Sequence, residues 1–304
     1  SDTSSTTDTS TTTDATTDSA TTDSAATAPE GAITAKLGHV GAPDHIFEVG
    51  ALKYQELVSE ATDGGIFIQT YPGSQLGADR DLMEALQLGT VEFSIQGTFD
   101  NFVPVLSAIC LPFMYQSYAA ADAFLDSDLA AELYAELESM NVITLAHMQN
   151  GFRFITSNKP IEKVADLQGL KIRTPETPLY VQTFEALGAS PTPISFNELY
   201  SSLQQGVVEA QENPTAHIVT QRFYEVQSCV AKSNHIYAEA PLVVSSLFFN
   251  ELDADTQQIL RDKAYEATLY QREVSRDREE EDLKFLEEQG MTITEIDYDE
   301  FYAA

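Results

Sequence analysis

Two arginines, Arg153 and Arg173, are the side chains of this sequence best suited to bind an anion. Arg173 ends a short predicted strand, Leu170-Lys-Ile-Arg, just before Pro175. A guanidinium at the end of a strand can present a planar, permanently charged fork to a carboxylate, a geometry that lysine cannot reproduce. The alternative for each arginine is a structural ion pair with a nearby acid, and the residue types alone leave both interpretations open.

The chain has a large excess of acidic residues, so a pair of arginines that could bind an anion is an exception to its overall charge. The chain has 304 residues, with 16 Lys and Arg against 48 Asp and Glu, and its formal net charge is -32. Such a surface repels nucleic acid and anionic lipid at long range, so neither is expected as a partner. An anionic ligand would therefore have to be captured by a local cluster of cations.

Alternating strand and helix patterns predict an α/β protein. Helices are expected over residues 46–61 and 79–88, and a helical stretch of about 35 residues without Pro or Gly runs over 255–289. Strands that alternate with helices indicate βαβ units, whose ligands bind at the carboxyl ends of the strands.

Three sequence runs resemble one known family when they are taken together with Asn150-Gly-Phe-Arg153. They are Asp166-Leu-Gln-Gly-Leu-Lys-Ile-Arg-Thr-Pro, Phe184-Glu-Ala-Leu-Gly-Ala-Ser-Pro-Thr-Pro and Gly206-Val-Val-Glu-Ala-Gln-Glu-Asn-Pro. This series resembles the solute-binding subunit of tripartite ATP-independent periplasmic (TRAP) transporters, from about Ile33 to Tyr302. The resemblance implies a two-domain periplasmic-binding-protein-like fold of class II, with a ligand cleft and a long C-terminal helix that spans both domains.

The resemblance also implies roles for site residues. Arg173 would be the main carboxylate anchor, Arg153 a second cation and Asn213 a hydrogen-bond donor, while Phe196 would place its ring against the ligand. Glu212 and His235 would support the carboxylate-binding arginine. The remaining predicted ligand contacts are Asn150, Thr98, His39 and Tyr237. For Phe196 the alternative is core packing, and for His235 it is a buried histidine bonded to backbone.

The predicted domains follow the same resemblance. Residues 33–150 with 239–278 would form domain I, and residues 151–238 with 279–304 would form domain II. Residues 1–32 are rich in Ser, Thr and Asp, and we expect a disordered tether because they offer little apolar surface to bury. A lipid anchor preceding Ser1 is one interpretation of such a leader, and a random disordered leader is the other.

Other chemistry is not patterned here. No histidine or cysteine spacing is typical of a metal site, so no metal and no cofactor is expected. Cys110 and Cys229 are predicted to be buried free thiols, with a disulfide as the alternative. No catalytic motif is present, and we predict a binding protein rather than an enzyme.

The predicted function is capture of a small organic acid outside the cytoplasm and its delivery to TRAP membrane permease subunits. Candidate ligands are C4-dicarboxylates, uronic or other sugar acids, and small hydroxy or keto acids; Gly97 and Val40 depart from the sialic-acid-binding pattern. We expect a monomer. A ligand-sensing partner of a membrane receptor kinase is an alternative, and a secreted hydrolase is a more distant one.

Overall fold

The computed structural model describes residues 28–97 and 99–304. Its strands are β1 (Ile33–Gly38), β2 (Ile66–Tyr71), β3 (Phe93–Ile95), β4 (Val142–Phe152), β5 (Phe154–Ser157), β6 (Lys171–Thr174), β7 (Ser190–Pro193), β8 (Ala210–Asn213), β9 (Cys229–Lys232), β10 (Tyr237–Ser245) and β11 (Thr292–Glu295). Together with the helices they form a mixed α/β fold, as predicted.

The helices connect and cover these strands. They are α1 (Ile46–Ala61), α2 (Asp79–Leu88), α3 (Tyr118–Leu125), α4 (Asp128–Tyr134), α5 (Pro178–Ala186), α6 (Leu199–Gln204), α7 (Thr215–Thr220), α8 (Ser246–Phe249), α9 (Ala254–Glu288) and α10 (Tyr298–Ala303). The predicted bounds of α1 and α2 are confirmed. In α2, acids occupy the first turn and Gly89 ends the helix in the left-handed conformation that glycine favours.

The strands form two sheets. The first has the order β2-β1-β3-β10-β4, with β1, β2 and β3 parallel and β10 antiparallel to both of its neighbours. The second has the order β11-β9-β5-β8-β6-β7, in which β6 runs parallel to β7 and β8. Parallel strands end at one edge of each sheet, and this brings the loops after β1, β3, β6 and β8 into position for a shared site.

Among the described residues, three hydrophobic clusters pack the sheets and helices against one another. One packs the first sheet against α1 and α9 through residues such as Phe93, Tyr54 and Leu260. Another is continuous from the first sheet to the second, since it contains both Val243 and Phe154. A third lies around the second sheet.

The helix α9 has 35 residues and is therefore about 52 Å long. Asp253 caps its first turn by accepting a hydrogen bond from the Thr256 amide. Gln271 exchanges two hydrogen bonds with the backbone of Gln149 in β4, at 2.8 and 2.7 Å. Further along, Leu286 is buried in the cluster that reaches the second sheet. The long helix therefore contacts the elements of both sheets.

The predicted domain boundaries fall inside elements of this fold. The division at residues 150/151 lies within β4, the one at 238/239 within β10, and the one at 278/279 within α9. These boundaries stay predictions. Cys110 and Cys229 are both free thiols, but only Cys229 is buried as predicted, whereas Cys110 is half-buried. Within the described residues no helix is both long enough and apolar enough to cross a membrane.

Candidate functional site

Arg173 lies at the carboxyl end of β6 and is only 3% exposed. Its Nε donates to the carbonyl oxygen of Ile194 at 2.8 Å, and its guanidinium carbon lies 5.8 Å from the centre of the Phe196 ring. Among the residues that the structure describes, the Ile194 contact is the only hydrogen bond of this guanidinium. One edge of the fork is thus fixed, and the terminal nitrogens remain able to bind a ligand.

The electrostatic environment of Arg173 does not neutralise its charge. Burial lowers the pKa of Arg173 to about 10, and the nearby charge of Arg153 acts in the same direction. Glu212, Asp79 and Glu176 oppose this shift without cancelling it. A lowered arginine pKa means that the charged form is poorly compensated by the protein. An anion bound against Arg173 would supply the missing compensation.

A cavity of about 510 Å³ opens beside Arg173. Ala78, Arg80 and Asn101, from the loops and helix that follow the first sheet, line one side. Arg173, at the end of β6, and Phe196, which follows β7 of the second sheet, line the other. The cavity therefore lies where the two halves of the fold face each other, as the predicted cleft requires.

Arg153 is placed differently, because Glu212 already occupies its fork. Arg153 Nη2 lies 2.8 Å from Glu212 Oε1, and Arg153 Nε contacts the other carboxylate oxygen. His235 Nε2 lies 3.2 Å from that second oxygen, and Ser233 contacts His235 Nδ1 at 2.7 Å. The predicted support by Glu212 and His235 is thus directed to Arg153 rather than to Arg173.

This buried pair is ionised. Burial alone would raise the pKa of Glu212, but the Arg153 guanidinium and the His235 hydrogen bond hold it below its usual range. Conversely, burial opposes the charge of Arg153, while Glu212 raises the pKa of Arg153. The aromatic ring of Tyr180 covers the guanidinium at 5.0 Å. Arg153 therefore enters the site as part of a fixed, internally neutralised network.

Asn213 ends β8 and is held by the same network. Its Oδ1 accepts from Arg153 Nη2 at 3.1 Å, and its Nδ2 donates to Gln211 Oε1 at 2.6 Å. A side-chain amide has two N–H donors, so one remains for a ligand oxygen.

Four aromatic side chains, His39, His45, His217 and Phe196, lie in the region between the first sheet and Arg173. His39 follows β1, and its Nε2 lies 2.8 Å from Glu48 Oε2 in α1. His45 caps α1 and stacks on His217 of α7, with ring centres 3.9 Å apart. The Phe196 ring lies 4.7 Å from the ring of His217. Imidazoles from both halves of the fold therefore meet next to the ring that covers Arg173.

The last three predicted contacts are distributed differently. Asn150 in β4 is buried close to Gly97, and its Oδ1 has no hydrogen-bond partner among the described residues. Thr98 lies outside the described residues. The ring of Tyr237 packs against Tyr115 and Phe152 at 5.6 and 5.3 Å. That position groups Tyr237 with an aromatic cluster rather than with Arg173.

Sequence reasoning did not assign His45 or His217 to the site. His217 lies four residues after Asn213, directly beyond the end of β8, and position at a strand end is the signal that could have found it. Among the described residues, no group of three or more His, Cys, Asp or Glu side chains could hold a metal ion.

Comparison with known proteins identifies the family. The family model of the bacterial extracellular solute-binding proteins, family 7 (DctP), matches residues 37–304. This chain belongs to that family. It is a solute-binding protein of the TRAP transporter type, and its two-domain fold is the one shared by solved TRAP periplasmic binding proteins.

Three relatives illustrate the range of the family. A TRAP periplasmic protein of Roseobacter denitrificans, solved with bound L-galactonate, is 35% identical with a TM-score of 0.86, over 89% of this chain and 91% of that one. One of Polaromonas, solved with D-erythronate, is 32% identical with a TM-score of 0.87, over 89% and 90%. The C4-dicarboxylate-binding periplasmic protein of Rhodobacter capsulatus is 33% identical over 264 residues, 86% of this chain and 79% of that one.

Proposed function

We propose that this chain captures a small hydroxylated carboxylate, such as a sugar acid, in the cavity beside Arg173 and delivers it to TRAP permease subunits. The observation that carries the proposal is the buried, poorly compensated charge of Arg173 at a cavity between the two halves of the fold. Arg173 binds the carboxylate through its terminal nitrogens, and Asn213 contributes one amide donor.

Arg153 has an indirect role in this proposal. Its fork is occupied by Glu212, so it acts by holding Asn213 in position. The site offers one poorly compensated cation, Arg173, and polar groups elsewhere. It therefore suits a ligand that has one carboxylate and several hydroxyls. The L-galactonate and D-erythronate seen in two relatives are ligands of this kind.

A C4-dicarboxylate is the second candidate, because Arg80 lines the same cavity and could meet a second carboxylate. Arg80 is exposed and lies 3.3 Å from Glu84, so part of its charge is already compensated. The R. capsulatus relative, a C4-dicarboxylate-binding periplasmic protein, supports this candidate. We rank it below the sugar acids because an exposed ion pair contributes little binding free energy.

We further propose that the ligand is released to the permease when the two domains separate, and that the protein acts as a monomer in the extracytoplasmic space. The family description supports this location. A sensory role would use the same cavity. Co-purification with membrane components distinguishes the two, since permease subunits are expected in one case and a receptor kinase in the other.

Calorimetry tests the ligand class directly. The purified protein is titrated with L-galactonate, D-erythronate and succinate at one pH and salt concentration. We expect the two sugar acids to bind more tightly than succinate. A ligand at about 100 times its Kd should also add about 2.7 kcal/mol to the unfolding free energy. Absence of binding by all three acids would contradict the proposal.

A further inference from the structure

The stacked pair of His45 and His217 has ring nitrogens without partners. His45 Nδ1 accepts from the Phe47 amide at 3.1 Å, so in the neutral ring the hydrogen resides on Nε2. Neither His45 Nε2 nor His217 Nδ1 has a hydrogen-bond partner among the described residues. Both side chains are buried, at 0% and 2% exposed. A buried polar atom without a partner is costly, so such atoms are rare unless they meet water or a ligand.

Both imidazoles are held neutral. Burial lowers the pKa of His45 well below its ordinary value, and the imidazoles of His217 and His39 act in the same direction. Burial also lowers the pKa of His217, and the charges of Arg153 and Arg173 add to the effect. A neutral imidazole has one donor and one acceptor. The influence of both arginines also shows that His217 lies within the same electrostatic site.

The pair lies behind a wall of the ligand cavity, because the Phe196 ring lines that cavity and contacts His217. His45 begins α1, which follows the first sheet, and His217 lies in α7, directly after β8 of the second sheet. The centre of the Phe196 ring lies 4.7 Å from that of His217 and 5.8 Å from the guanidinium carbon of Arg173. His39 contributes a third unpartnered nitrogen, Nδ1, on the side of the first sheet.

We propose that His45 and His217 are specificity-determining residues that bind hydroxyl groups of the ligand whose carboxylate is held by Arg173. The inference rests on the proposed function, and it names the residues that bind the part of the ligand away from its carboxylate. A hydroxyl both donates and accepts, so it can pair with the His45 N–H and with an acceptor nitrogen of a neighbouring ring. A second carboxylate only accepts, and it would meet neutral rings rather than cations.

A double-mutant cycle between protein and ligand tests this assignment. The parent, His45→Phe and His217→Phe are each titrated with L-galactonate and with its monodeoxy analogues, each of which lacks one hydroxyl. Phenylalanine retains an aromatic ring in the stack but removes the nitrogens. For at least one analogue, we expect the missing hydroxyl to weaken binding to the parent about fivefold, and to weaken binding to one variant less than about twofold.

His147→Gln is the matched control, because His147 is a buried histidine bonded to Glu239 at 2.8 Å, outside this pair. This variant should show the parent's full penalty for every analogue. If both phenylalanine variants also keep the full penalty for every analogue, the assignment is wrong. If the parent binds L-galactonate, that result leaves the proposed function intact. If the parent binds none of L-galactonate, D-erythronate and succinate, the proposed function fails as well.

Nuclear magnetic resonance of the parent protein tests the same assignment without any variant, so it remains valid if a variant fails to fold. The ring nitrogens of histidine are labelled with ¹⁵N, and their resonances are followed as L-galactonate is added. We expect the His45 and His217 resonances to shift as hydrogen bonds to the ligand form, while those of His147 stay in place. Unchanged His45 and His217 resonances at saturation would overturn the inference.

Discussion

Replacing Arg173 by methionine should stabilise the protein without ligand while it weakens carboxylate binding. The pKa of Arg173 is lowered from 12.5 to about 10. At neutral pH the group is charged in both the folded and the unfolded chain, so folding carries the full cost of this shift, about 3 kcal/mol. Methionine keeps an unbranched apolar stem. It forfeits the hydrogen bond to Ile194, worth about 1 kcal/mol, which leaves a net gain of about 2 kcal/mol.

The matched variant Arg153→Met should have the opposite effect. Arg153 is the main partner of the buried carboxylate of Glu212, and without it only His235 remains beside that charge. Breaking a buried ion pair by removing one partner costs about 3–5 kcal/mol. The two arginines lie in one site and have the same residue type, so the contrast isolates how each charge is compensated.

Thermal unfolding and calorimetry decide the matter. In a chain of this size, about 2 kcal/mol corresponds to a rise in Tm of about 4 °C for Arg173→Met, whereas Arg153→Met should lower Tm by at least as much. Binding of L-galactonate should weaken by about 2–5 kcal/mol in Arg173→Met, roughly 30-fold to several thousand-fold. An Arg173→Met variant that melts as low as Arg153→Met would show that protein acids already neutralise Arg173. Unchanged affinity would refute its role as the anchor.

Three further outcomes are expected. Burial raises the pKa of Glu239 to about 8, from about 4.5 in the unfolded chain, so its contribution to stability is complete below pH 4.5 and is lost as pH rises through 8. Between pH 5 and 8, the urea midpoint of unfolding should therefore fall less in Glu239→Gln than in the parent. Midpoints that fall in parallel with pH would contradict this. Phe196→Leu removes the ring beside Arg173 and should weaken L-galactonate binding about threefold in calorimetry. The control is Phe248→Leu in α8, whose ring packs on Phe93 and does not line the cavity. Saturating L-galactonate should reduce the radius of gyration in small-angle scattering if the domains close around it, and an unchanged radius would indicate a rigid cleft.

The sequence predicted the amphipathic helices well because their apolar periodicity is local. It did not predict the full length of β4, in which Gln149 and Asn150 are buried polar residues. The backbone polar groups of Gln149 are satisfied by Gln271, 122 residues away, and no local pattern carries that information. The sequence pattern therefore does not indicate this strand, because its buried polar residues depend on partners that are far away in the sequence.

The candidate site shows the same limit. The motif placed Arg173 at a strand end, and the structure agrees. Which arginine Glu212 supports depends on the pairing of β5 with β8, where Ile155 lies opposite Glu212. The contact between His45 and His217 likewise joins the start of α1 to α7, two elements far apart in the sequence. Residue types indicated the chemistry, but the pairing of charges required the register of the sheet.

The anchoring of α9 determines how the halves of the protein can move. Arg272 and Arg276 bind Asp126 and Asp122 of the first-sheet half through paired hydrogen bonds, so the helix is held firmly up to this point. Two further contacts follow, from Arg278 to the carbonyl oxygen of Asp44 and from Tyr118 of α3 to Glu279. Beyond Glu279, the segment to Glu288 is a lever arm about 14 Å long, and a bend of about 20° at its base would displace its tip by about 5 Å. Because Leu286 near that tip is buried in the cluster that includes second-sheet residues, the swing would carry the second half with it. The fulcrum of cleft opening would then lie in the stretch of α9 from Arg272 to Glu279, where these contacts hold the helix.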